Sequence, residues 1–161
     1  MNGGGGKSLW NLAVPPKFKY LAWQMLDGTL PTVDNLRRKG VSIQTGCNLC
    51  GASSESVDHA LQQCAWVQQV WEQEGIQVEL ERPVGEWLRG RMDTGSMEER
   101  GKFVSLLWSI WKKRNNTIWK GQKDPTTSVV NGSMSMVSGR KDAQQEPARA
   151  SMRATNEVCK W

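Results

Sequence analysis

The sequence predicts a mostly α-helical fold for the first three quarters of the chain. Three observations support this prediction. Apolar residues recur at helical spacing, good helix starts and stops separate these stretches, and the last forty residues are poor in Leu, Ile and Phe. With 161 residues and 38% hydrophobic content, the chain suits one domain with an appendage. We therefore expect the packed core to lie before residue 120.

The first two predicted helices lie before residue 41. The first follows a Pro-Pro pair and carries four apolar residues at the i, i+3, i+4, i+7 spacing of one helix face. These residues are Phe18, Leu21, Ala22 and Met25. Gly28 supplies the stop of this helix. The second helix begins at Thr32, a good N-cap residue, and ends at Gly40.

Three more helices are predicted between residues 66 and 120. The first carries apolar residues at positions 66–71, and the second is a short helix around positions 84–88. Between them, residues 76–82 alternate in polarity and indicate either a short strand or an extended linker. The third and longest helix begins with a capping box of Ser96 and Glu99 and carries an apolar stripe. These signals complete a mostly helical prediction.

The nine Trp residues are expected to serve mainly as core. Five of them lie on apolar stripes with Leu, Val and Ile, namely Trp23, Trp66, Trp71, Trp108 and Trp111. Stacking on nucleobases is the alternative, and it requires exposed rings interleaved with basic residues. Trp10, near Lys7, and Trp119, beside Lys120, have this local pattern.

Four residues form the motif C-x2-C-x8-H-x4-C. They are Cys47, Cys50, His59 and Cys64, and His59 is the only His in the chain. Zinc prefers three thiolates and one imidazole in closed, tetrahedral, structural sites. The sequence therefore predicts one structural Zn²⁺ that stabilises a small helical domain. Since four protein ligands leave no position for water or substrate, we expect no catalytic residues here.

Three other interpretations of the cluster remain open. The thiols could form a buried reduced cluster without metal, or Cys47 and Cys50 could be a redox pair, although no βαβ pattern surrounds them. A catalytic zinc would need a nearby general base, for which Glu55 and Asp58 are the candidates. We expect Glu55 instead to support the loop by accepting a hydrogen bond from a backbone N–H.

The spacing of the last two ligands constrains the local backbone. His59 and Cys64 are five residues apart, which is about 140° around a regular α-helix, so they cannot share one face. We expect a helix capped by Ser56 to carry His59 and to end before Cys64, where the chain bends back.

Charge is distributed in three blocks. Residues 9–46 carry five basic and two acidic groups, residues 47–100 four basic and ten acidic, and residues 101–123 six basic and none acidic. Basic faces attract nucleic acid through phosphate contacts and counterion release. The predicted nucleic-acid-binding residues are Lys17, Lys19, Arg37, Arg38, Lys39, Lys112, Lys113, Arg114 and Lys120. Solvated helix faces are the alternative explanation of these charges.

The sequence argues against a membrane-spanning protein and against a secreted protein. No apolar run reaches the roughly 18 to 20 residues of a membrane span, and the Gly-rich start has no apolar core of a secretory signal. We therefore expect an intracellular protein with neither membrane contact nor a disulfide framework. Cys159 lies far from the other three Cys, in a polar stretch, and receives no role.

Taken in order, the residues between positions 9 and 71 resemble a known family. The matching residues are Leu9-Trp10, Pro15-Pro16-Lys17, Trp23, Leu30-Pro31-Thr32, Leu36, Gly40, Cys47-x2-Cys50, Glu55, His59, Cys64 and Val70-Trp71. Together they resemble the zinc-binding domain attached to the reverse transcriptases of plant non-LTR retrotransposons. Residues 107–115 also resemble the helix that lies between this domain and a ribonuclease H domain in such polyproteins.

The resemblance implies an accessory module without enzymatic activity. The polymerase of the family needs two adjacent aspartates, and no Asp-Asp pair occurs here. The ribonuclease H carboxylates would follow the position where this chain ends. The implied partners are RNA or DNA, or a reverse transcriptase or ribonuclease H domain of a full-length polyprotein. The resemblance thus implies that the chain is a zinc-binding module with its downstream helix, either as a fragment or as a degenerate copy of such a polyprotein.

The predicted organisation has four parts. A flexible lead spans residues 1–8, the zinc-binding domain 9–76, a helical extension 77–123, and a disordered tail 124–161. Accessory nucleic-acid binding is the expected function. The alternative is a protein-interaction module that docks a partner domain through the Trp-rich helix 103–119. The sequence does not specify an oligomeric state.

Overall fold

The computed structural model describes residues 8–121. Of these residues, 63% are helical and none lies in a strand, which confirms the mostly α-helical prediction. After a helical stretch at residues 8–10, the elements are α1 (Pro16–Asp27), α2 (Val33–Arg38), a π-helix (His59–Gln63), α3 (Ala65–Gln73), α4 (Val84–Thr94) and α5 (Met97–Lys120). Residues 76–82, expected as a strand or a linker, form a linker.

The ends of the helices follow the signals in the sequence. α1 stops at Gly28, whose left-handed φ of 71° lets its N–H bond to the carbonyls of the last turn. The Thr32 hydroxyl caps α2 by accepting from the Asn35 N–H at 3.3 Å. Ser96 and Glu99 form both hydrogen bonds of the capping box at the start of α5.

One aromatic cluster joins the last three helices. Trp71 of α3, Trp87 of α4 and Phe103 of α5 lie with their ring centroids 4.9 to 5.0 Å apart, in stacked and edge-on arrangements. All three side chains are buried. Trp71 precedes the predicted boundary at residue 76 and the other two follow it, so the zinc-binding segment and the extension share one core.

Three side chains lie elsewhere than the sequence predicts. Trp23, expected in the core, is 41% exposed on α1. Lys113 and Arg114, expected on a solvated face of α5, are only 6% and 1% exposed. The prediction of a solvent-facing charge at these two positions is wrong, because α5 is packed on more of its circumference than its apolar stripe alone suggests.

Some predictions fall on other parts of the chain. The Gly-rich lead up to residue 7, the tail at 124–161 and Cys159 lie outside the described residues. Ser8, which we placed in the lead, is helical. Within residues 8–121, no helix combines the length and the apolar character that crossing a bilayer requires.

Candidate metal centre

The four predicted ligands converge on one point. The ligand atoms of Cys47, Cys50, His59 and Cys64 all lie within 4.8 Å of one another. The sulfurs of Cys47 and Cys64 are 3.8 Å apart, and the Cys50 sulfur is 3.3 Å from Nε2 of His59. Two sulfurs that each bind one zinc ion at about 2.3 Å lie about 3.8 Å apart at the tetrahedral angle. The cluster therefore fits one tetrahedral zinc ion, bound by three Sγ atoms and Nε2.

The first two ligands lie on a tight turn of the backbone. The Cys47 N–H donates to the Ala52 carbonyl, and the Gly51 N–H donates to the Cys47 carbonyl, both at 2.8 Å. The Ala52 N–H points at the Cys50 sulfur at 3.4 Å, where it favours the thiolate. Gly46 has a φ of 93°, and a Cβ there would lie 2.5 Å from the Ala52 oxygen. Glycine is therefore required at position 46 to close the turn.

A π-helix brings the other two ligands together. We expected a helix to end between His59 and Cys64, and the helical segment does end at Gln63, with a bend at Cys64. Its last five residues, His59–Gln63, form a π-helix, which the sequence did not predict. The Cys64 N–H bonds to the His59 carbonyl at 2.9 Å, which is the i to i+5 pattern of a π-helix. This wider turn removes most of the 140° offset of an α-helix. As expected, the Ser56 hydroxyl caps the segment by accepting from the His59 N–H at 3.1 Å.

Burial and proton sharing distinguish the four ligands. Cys47 and Cys64 are buried, whereas Cys50 is exposed and His59 is half-buried. The hydrogen bond between the two buried sulfurs lowers the pKa of Cys47 to about 4, while the same contact raises the pKa of Cys64. Cys47 is thus readily present as a thiolate, the form that ligates zinc.

Glu55, between the two pairs of ligands, ties the metal loop to α2. Its side chain is fully buried, and Oε1 accepts from the Val33 N–H at 2.9 Å at the start of the helix. Backbone contacts with Asp34 extend this junction: the Glu55 N–H donates to the Asp34 carboxylate at 3.1 Å, and the Asp34 N–H donates to the Glu55 carbonyl at 3.2 Å. The predicted role of Glu55 as an acceptor for a backbone N–H is confirmed.

The same carboxylate pairs with Arg114 of α5. Nε of Arg114 donates to Oε2 of Glu55 at 3.0 Å, and Nη2 donates to Oε1, so the contact is bidentate. The guanidinium also lies over the Trp111 ring, 4.5 Å from its centroid. Sequence reasoning missed this pair, which joins residues 59 positions apart. The sequence signals for this pair were Glu55, which lies between the ligands in the sequence, and Arg114, which lies next to the apolar stripe of α5.

Two further side chains hold the His59 side of the centre. The Asp58 carboxylate accepts from the Val84 N–H at 2.7 Å, at the start of α4. The Gln62 amide donates to the carbonyls of Glu79 and Arg82 at 2.6 and 2.8 Å. Both carboxylates considered as general bases, Glu55 and Asp58, are thus engaged in structural hydrogen bonds. This arrangement favours a structural role for the metal.

The predicted nucleic-acid-binding residues are divided by their exposure. Lys17 and Lys19 on α1 are half-buried, and Lys113 and Arg114 on α5 are buried. The other five are exposed, namely Arg37, Arg38, Lys39, Lys112 and Lys120. Burial also lowers the pKa of Lys113 below its ordinary value. The exposed cations lie on α2, at its C-terminal boundary, and on α5.

Comparison with known proteins gave one match. Residues 5–71 match a protein-family model described as zinc-binding in reverse transcriptase. The matched segment contains all four ligands and ends at Trp71, before Trp87, Phe103 and Arg114. Searches of curated proteins and of solved structures found no match. The shared core and the Glu55–Arg114 pair therefore extend the fold beyond the matched segment.

Proposed function

We propose that the chain, whose residues 5–71 match the family model described as zinc-binding in reverse transcriptase, is a structural-zinc module of retrotransposon origin that assists in binding nucleic acid and has no catalytic activity of its own. The observation that carries this proposal is the complete ligand set, in which four side-chain atoms lie within 4.8 Å of one another. A zinc ion held by three thiolates and one imidazole stabilises the fold and offers no open position.

The surroundings of the cluster support the absence of catalysis. A zinc hydrolase needs a base that can reach metal-bound water. Glu55 is buried against Arg114, and Asp58 accepts from the first turn of α4. Neither carboxylate is in a position to serve as that base without losing a structural bond.

The exposed cations support binding to a polyanion. Arg37, Arg38 and Lys39 close the short helix α2, and Lys112 and Lys120 lie on α5. Glu55 bonds both to the first turn of α2 and to Arg114, so the two basic segments lie on elements that meet at one buried carboxylate. Cations on adjoining elements can contact the same phosphate backbone.

The alternative of a protein-docking helix has less support. Five apolar residues of the Trp-rich helix, Phe103, Leu106, Leu107, Ile110 and Trp111, are buried against the chain's own core. They are not available to a partner while the fold is intact. Of the large aromatic residues on this helix, Trp119 is exposed at 57% and Trp108 is half-buried.

Binding to single-stranded nucleic acid is expected to weaken steeply with salt. For the zinc-loaded chain and a fluorescently labelled single-stranded RNA or DNA, the logarithm of the affinity should fall with a slope of about −0.7 per phosphate neutralised. Replacing Arg38 and Lys39 together by Gln should make this slope shallower by about 1.4. Fluorescence anisotropy over a salt series measures both values.

Arg89→Gln is the matched control for this test. Arg89 is also exposed, but it lies on α4 in the acidic middle of the chain, so its replacement should leave the slope unchanged. A zinc-loaded chain that binds neither RNA nor DNA at low salt would refute the proposed role in nucleic-acid binding.

A further inference from the structure

The outer side of α1 carries an exposed aromatic pair. Tyr20 and Trp23 are 39% and 41% exposed, and their rings are stacked with centroids 5.8 Å apart and planes 25° apart. The core side of α1 is opposite and already supplies four buried residues. An i, i+3 contact between exposed side chains stabilises a helix only slightly. Folding alone therefore gives little reason for two large rings on this side.

Two lysines flank the aromatic pair. Nζ of Lys19 donates to the Trp10 carbonyl at 2.8 Å, and Nζ of Lys17 lies 5.0 Å from the centroid of the Trp108 ring. Lys17 precedes Tyr20 by three residues and Lys19 precedes Trp23 by four, so each lysine adjoins one ring along the helix surface. The two lysines thus lie on either side of the pair along α1, with their ammonium groups held against Trp10 and Trp108. The one acidic residue of α1, Asp27, lies at its far end.

We infer that Tyr20 and Trp23 are the stacking surface for unpaired bases of a single-stranded nucleic acid, with Lys17 and Lys19 facing its phosphates; this inference rests on the proposed function. Exposed π-faces accept any unpaired base, and flanking cations match a charged backbone. In a duplex the base faces are stacked inside the helix and cannot reach the rings. An apolar surface of a partner protein would make no favourable contact with the two ammonium groups, so the lysines favour a charged partner.

Substitutions that keep apolar area but remove the rings test the inference. The probe is a fluorescently labelled single-stranded oligonucleotide, titrated at low salt against the zinc-loaded full chain. The double variant Tyr20→Leu/Trp23→Leu should bind at least about tenfold more weakly with the same salt slope, because stacking is not ionic. Tyr20→Phe/Trp23→Phe, which keeps both rings, should stay within about threefold of the parent chain. Lys17→Gln/Lys19→Gln should weaken binding and make the slope shallower by about 1.4.

Unchanged zinc content and helicity establish that each variant is folded. Should the Leu variant bind as tightly as the parent, the rings do not stack on the bases, and the inference is overturned while the proposed function stands. If the parent chain binds no single strand at all, the proposed function fails, and this inference fails with it.

Discussion

Replacement of Cys50 by serine is expected to release the zinc and to unfold most of the chain. Cys50 is exposed, so this change removes almost no core packing, and an exposed substitution of this kind ordinarily changes stability by less than about 0.5 kcal/mol. Structural zinc, in contrast, contributes on the order of 10 kcal/mol, which is comparable to the whole stability of a domain, about 5–15 kcal/mol. The expected results are loss of bound zinc and loss of most of the helical circular dichroism at 25 °C.

Cys159→Ser is the matched control for this experiment. It makes the same chemical change outside the ligand set, so zinc content and helicity should equal those of the parent chain. A Cys50→Ser chain with an unchanged unfolding midpoint would show that the ligand set does not stabilise the fold.

Replacement of Arg114 by methionine is expected to cost about 3–5 kcal/mol, the usual effect of breaking a buried ion pair. The change leaves the Glu55 carboxylate in the interior with the Val33 N–H as its remaining partner among the bonds described above. Because Glu55 lies in the metal loop, zinc affinity should fall as well. Urea unfolding of the zinc-loaded chain and competition with a chelator measure the two effects.

Two further variants separate the ion pair from general effects on α5. Lys112→Met changes an exposed cation of the same helix and should stay within about 0.5 kcal/mol of the parent. Adding Glu55→Gln to Arg114→Met should recover part of the loss, because a neutral amide still accepts from the Val33 N–H and leaves no buried charge. If the Arg114→Met chain is no less stable than the Lys112→Met chain, the Glu55–Arg114 pair does not stabilise the junction between the metal loop and α5.

The helices and the ligand set could be predicted because their signals are local. The Ser96–Glu99 capping box and the stop at Gly28 each depend on a few neighbouring residues, and both occur in the structure as expected. The Cys/His spacing is similarly local. The π-helix at His59–Gln63 could not be predicted from periodicity, because a single widened turn is too short to leave a repeating pattern.

Contacts between residues far apart in the chain could not be predicted from the sequence, for a different reason. Arg114 resembles part of a polar face because nothing near it in the sequence indicates that Glu55 lies opposite. Burial at such positions depends on how helices pack, which a single-sequence pattern does not specify.

We expect one zinc ion, bound by four side chains, to hold this helical fold together. Elemental analysis and X-ray absorption of the purified chain, followed by circular dichroism before and after chelation, test this claim. We predict one zinc per chain with three sulfurs and one nitrogen around it, and loss of helicity when the chelator removes it. A chain that contains no metal and keeps its full helicity in the presence of chelator would contradict the claim.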